Sequence, residues 1–136
     1  MPQHGPIVGD NWLAILIAAI AIYAVGALIY GLGGKLWLSL AGFSKEELAP
    51  HRWKMAISWI MPVMTAIGLA ILFKLARVDN PASGVVIALE IWFFLMMPVR
   101  LYSYVYSPEK AGHLLMDAIH LLLGATLAGA IIASWP

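Results

Sequence analysis

Four apolar runs, each close to twenty residues long, limit this chain more than any other feature. They cover about residues 11–32, 53–76, 83–106 and 113–135. At 1.5 Å of rise per residue, about twenty residues of helix cross the roughly 30 Å hydrocarbon layer of a bilayer. Hydrocarbon offers backbone groups no water to bond, so each run must satisfy its own N–H and C=O groups as a helix. Composition removes the competing reading of a soluble core. The chain is 62% hydrophobic and 11% charged over 136 residues, whereas soluble domains carry about 25% charged residues. A chain this short exposes too much surface to hide that apolar share from water. The fold class is therefore all-α, one transmembrane domain of four helices over residues 1–136, with the lipid bilayer as its first partner.

The punctuation sets the topology. Asp79-Asn80-Pro81 and Ser107-Pro108 are turn signals, and such short connections make the second, third and fourth helices antiparallel neighbours in an up-down-up-down bundle. Gly31, Gly33 and Gly34 are expected to end the first helix, and Asp10 or Asn11 to cap its start. Pro62 and Lys74 fall inside the second run. Met1 to Asp10 holds no Lys or Arg, so the first run reads as a retained helix rather than a cleaved signal. The one long connection, Lys35 to Arg52, opens with apolar residues around Trp37 and suits a segment lying in the headgroup region. Within it, Ser44 and Glu47 have capping-box spacing and Pro50 is a stop.

Basic residues divide unevenly between the two ends. Lys35, Lys45, Arg52, Lys54, Arg100 and Lys110 lie at one end, against Lys74 and Arg77 at the other. The positive-inside rule then places the long connection in the cytoplasm and both termini outside. Trp12, Trp37, Trp53 and Trp135 fall near the ends of the runs, where amphipathic rings settle at the membrane interface.

Several stretches carry a resemblance: Asn11-Trp12-Leu13-Ala14, Gly26-Ala27-Leu28-Ile29-Tyr30-Gly31, Gly34-Lys35-Leu36-Trp37 and Ala41-Gly42-Phe43-Ser44-Lys45-Glu46-Glu47-Leu48. Together with Asp117-Ala118-Ile119-His120 in the last run, they resemble a family of small bacterial four-helix membrane proteins known as a domain of unknown function. The similarity spans nearly the whole chain and is most specific in its first 48 residues. Ile29 stands where the family often has Trp, and Ile91-Trp92-Phe93-Phe94 is more aromatic than usual. The resemblance implies the fold and a bacterial inner (cytoplasmic) membrane, in which the distribution of basic residues puts both termini in the periplasm. It brings no activity.

Ionisable residues at membrane depth are costly and mark candidate sites. Lys74 and Glu90 face each other across the second turn as a candidate ion pair, with a protonatable Glu90 in a transport path as the rival reading. Arg100 and Asp117 lie at matching depths flanking the third connection and are expected to pair; lipid phosphate is the rival partner for Arg100. His113, Asp117 and His120, spaced four and three apart, share one helical face. With His51 they form a hydrogen-bonded packing cluster, a proton relay or cofactor site, or a metal site. The first of these is preferred, because no HExxH or comparable compact motif is present. His120 is expected to be held by Asp117 or a backbone carbonyl, and both His120 and Glu90 to face the protein or a partner rather than lipid.

No metal and no cofactor is expected. Enzymatic activity is not expected either: the chain has no cysteine, GxSxG elbow or phosphate-binding glycine loop. Small residues at Ala14, Ala18, Ala21, Gly124, Ala125, Ala128 and Gly129 permit close helix packing, within the bundle or between copies. Met61, Met64, Met96 and Met97 read as gap-fillers. The function these features favour is a non-catalytic accessory or stabilising subunit of a homo-oligomer or a larger membrane complex. A small homo-oligomeric proton- or cation-coupled transporter or channel is the alternative, and a membrane metal-binding protein or enzyme a weaker one. Nucleic acid is not an expected partner.

Overall fold

The computed structural model describes residues 11–135. Four helical spans, Trp12–Leu32, Trp53–Leu75, Pro81–Val105 and Ala111–Ser134, are long and apolar enough to cross a membrane. Their ends lie within two residues of those expected from the sequence, and the chain is a multi-pass membrane protein.

The first span stops at Gly33 alone. Gly33 N–H bonds back to Ile29 O, and a short helix, Gly34–Ala41, starts at once. Gly31 stays inside the span and Gly34 opens the next helix, so one glycine makes the break instead of three. Asn11 makes no side-chain cap bond, and Asp10 lies outside the described residues. The short helix ends at Gly42, whose φ of 79° is the left-handed conformation that glycine adopts without steric cost. Ser44 and Glu47 then form the expected capping box in both directions, and a 3-10 turn, Ala49–His51, follows at Pro50.

Two prolines leave local marks. Pro62 has no N–H for the carbonyl four residues back, and the second span is interrupted near Ser58 and Trp59, between Trp53–Ile57 and Ile60–Leu75. Ahead of Pro98 the third span widens to π-helix over Trp92–Met96, with Met97 N–H bonding Trp92 O. Such an inserted turn relaxes the helix where a proline would clash. Asn80 accepts from Ser83 N–H and starts the third span two residues earlier than expected, with Pro81 at its first position.

Packing follows the small residues. Ala14, Ala18, Ala66, Ala88 and Ala128 are fully buried, with Ile15, Ile22, Leu69, Phe73 and Ile132 around them. The fourth span packs against the first on one side and the third on the other. Gly84 and Gly129 make the second of these contacts possible: a Cβ on Gly129 would stand 2.8 Å from Gly84 O and 2.9 Å from the Ala88 Cβ. With lipid tails as apolar as leucine, this close approach is what holds the spans together.

Candidate functional site

At the basic end of the bundle, three spans and the short helix bring their polar side chains to one place. Arg100, near the end of the third span, is the hub. Its Nη1 and Nη2 donate to the two oxygens of Glu109 at 2.5 and 2.6 Å, and its Nε donates to Asp117 Oδ2 at 2.7 Å. The planar guanidinium fork suits this two-sided grip on carboxylates. Asp117 also accepts from the Tyr30 hydroxyl of the first span. Trp37 Nε1, from the short helix, donates to His113 Nε2 at 3.1 Å. That bond leaves the ring proton of a neutral His113 on Nδ1, which lies 2.6 Å from Glu109 Oε2. The approach lacks hydrogen-bond direction, so it acts as an electrostatic contact.

The cluster is largely removed from solvent, with the Arg100, Glu109 and Asp117 side chains 14%, 11% and 22% exposed. Hydrogen bonding from Arg100, opposed by partial burial, holds the Glu109 carboxyl below the usual carboxylate range. One cation thus meets two carboxylates, and Tyr30, Trp37 and His113 supply the remaining polar contacts. Lys110 closes the edge by donating to Ser39 O at 3.2 Å. Chemically, this arrangement locks the third connection, the short helix and three span ends together.

The Arg100–Asp117 pair is where the sequence placed it. Several other expected contacts are not. His120 bonds to the backbone carbonyl of Ile22, one of its two expected partners, and not to Asp117, which accepts from Tyr30 and Arg100. It sits edge-on to Tyr30, with ring centroids 5.2 Å apart, in a space left by Gly26, where a Cβ would come within 3.0 Å of its Nε2. His51 is exposed on the loop, and no three His, Asp or Glu side chains among the described residues are placed to hold a metal ion.

The sequence alone does not mark Tyr30, Trp37 and Glu109 as members of this cluster. Trp37 reads from sequence as an interface anchor and instead turns inward. Tyr30 is identifiable only once the register of the first span on the fourth is known. Trp92 adds a further link, donating to Ala118 O at 2.9 Å, which its place in an aromatic run did not reveal.

A family profile described as a protein of unknown function, DUF1761, matches residues 13–133. The chain belongs to this family. No curated protein and no solved structure matches it. The family match reaches into all four spans and includes every member of the cluster, from Tyr30 to Asp117.

A second polar feature lies far from this cluster. The expected Lys74–Glu90 pair does not form: Glu90 is exposed on the outer face of the third span, and no ion pair among the described residues includes it. Helical periodicity explains the miss. Gly84 and Ala88 face the fourth span, and Glu90, about 200° further round, points away from the bundle. Glu90 lies nine residues into a 25-residue span, so it sits near mid-depth, among the exposed Val86, Leu89, Phe93 and Phe94. An ionised side chain facing hydrocarbon at that depth costs on the order of 3 kcal/mol on insertion scales.

Proposed function

We propose that the protein is a non-catalytic subunit of a membrane assembly, either a homo-oligomer or a larger complex, in the bacterial cytoplasmic membrane. In this reading the basic end and the long connection face the cytoplasm, and both termini are periplasmic, as the distribution of Lys and Arg favours. One observation carries it: the charged cluster at the basic end is satisfied within the chain, while Glu90 is turned outward at mid-depth. A carboxylate so placed is covered when another protein surface meets the third span. The aromatic side chains beside it, Phe93 and Phe94, give that surface rigid contact area.

The same Glu90 is the observation that favours the second reading, a homo-oligomeric proton- or cation-coupled transporter with this carboxylate as its coupling group. Liposomes separate the two. The subunit reading expects wild-type protein to add no proton or cation flux to liposomes, and Glu90→Ala to shrink the particle extracted from membranes. Flux that is present in wild type and lost in Glu90→Gln, with the particle unchanged, overturns it in favour of transport.

A further inference from the structure

Among the described residues, Glu90 is one of two outward polar side chains at mid-depth. The other is Tyr23, 49% exposed on the first span. The fourth span, packed between the first and third, serves as a ruler for their levels. Gly26 abuts His120 and Gly124 abuts Ile22, so in this antiparallel pair Tyr23 stands level with Leu123. On the other side Gly129 abuts Ala88, and Gly84 lies between Gly129 and Ala133, which sets Glu90 level with Thr126. Three residues of helix separate the two levels, about 4.5 Å of rise. A tyrosine side chain is long enough to span that offset.

Neither group has a hydrogen bond or ion pair to another described residue. They are chemically complementary, a phenol that donates and a carboxyl that accepts. Both stand in apolar stripes, Leu16 and Ile20 beside Tyr23, and Val86, Leu89, Phe93 and Phe94 beside Glu90. We infer that a second copy of this chain covers the third span, and that Tyr23 of one copy donates to Glu90 of the next. Copies inserted in the same orientation keep every residue at its own depth, so the matched levels within one chain become matched levels between chains. Tyr23 and Glu90 stand on different spans, so the contact is head-to-tail: each copy offers its donor to one neighbour and its acceptor to another. This inference rests on the subunit reading and names the partner.

The test is energy transfer between donor-labelled and acceptor-labelled full-length chains in phosphatidylethanolamine–phosphatidylglycerol vesicles, over a range of protein-to-lipid ratios. Wild-type chains associate. Tyr23→Phe and Glu90→Ala each raise the density for half-association about threefold to tenfold, the span of hydrogen bonds measured within bilayers. The double variant is no weaker than the weaker single one, because both remove the same bond. Glu90→Gln retains an acceptor and stays closer to wild type than Glu90→Ala. At densities low enough that every chain is monomeric, all four keep the wild-type melting temperature, since neither side chain supports the single bundle.

Wild-type chains that stay monomeric at every density overturn the inference, as do single variants without effect or effects that add independently in the double variant. Particles extracted from native membranes tell this failure from that of the subunit reading. A particle containing other polypeptides, with monomers in vesicles, ends the inference and leaves the reading standing; monomers in both end the two together.

Discussion

The basic end and the middle of this protein treat charge in opposite ways. At the basic end Arg100, Glu109 and Asp117 are gathered inward and bonded to one another. At mid-depth Glu90 and Tyr23 are turned outward, without a bond to another described residue. Both regions lie on the same short-range helical patterns, so depth and direction make the difference. Charges near a span end can be drawn together by a connection such as Ser107-Pro108, which places Glu109 within reach of Arg100. A residue in mid-span has only its own helical face, and the face of Glu90 points away from the fourth span. The first region therefore holds one chain together, and in the proposed assembly the second meets a neighbour.

Removing the hub should break this comparison most severely. Arg100→Ala strands Glu109 and Asp117 with their burial intact. Breaking a buried pair of this kind costs roughly 3–5 kcal/mol. The expected result is a large drop in thermal stability in detergent, with assembly lost only as a consequence of unfolding. Stability unchanged to within about 0.5 kcal/mol, the scatter of ordinary surface substitutions, would show that the cluster does not hold the bundle.

Acid should act on the same region by a graded route. Because Arg100 keeps Glu109 below the usual carboxylate range, the folded state prefers its ionised form. That preference adds stability above the ordinary glutamate value of roughly 4.3 and is lost as the pH falls through the lower folded value. Melting temperature should decline over that acid range in wild type, and less steeply in Glu109→Gln. Equal slopes would remove Glu109 from the account.

Trp37→Phe should have the smallest effect. It keeps an aromatic ring but deletes the bond to His113, which sharpens the comparison by testing a neutral member of the cluster. The expected loss is about 1 kcal/mol, the usual net value of one hydrogen bond, read as a modest fall in melting temperature. A loss as large as that of Arg100→Ala would make the short helix, and not the ion pairs, the main lock.

How much of this was legible in the sequence depends on range. Span ends were readable because hydropathy and turn residues act locally, and Ser44 with Glu47 could be read as a capping box for the same reason. Arg100 and Asp117 were readable because a short connection fixes the depth of both. The partners of Asp117 and His113 on the first span and the short helix were not, since Tyr30 lies 87 residues from Asp117 and Trp37 lies 76 from His113. Their meeting depends on how the first span registers against the fourth, which close small-residue packing decides and hydropathy does not. Lys74 and Glu90 do not pair because similar depth does not bring together side chains on different helical faces, and Glu90 lies on the outer one.

The most direct measurement is the native mass of the wild-type particle released from membranes into lipid nanodiscs, without prior exposure to harsh detergent. The account predicts a defined particle heavier than the 14.8 kDa chain, made of several copies and divided into smaller species by Glu90→Ala. A particle containing one copy and no other polypeptide would contradict it.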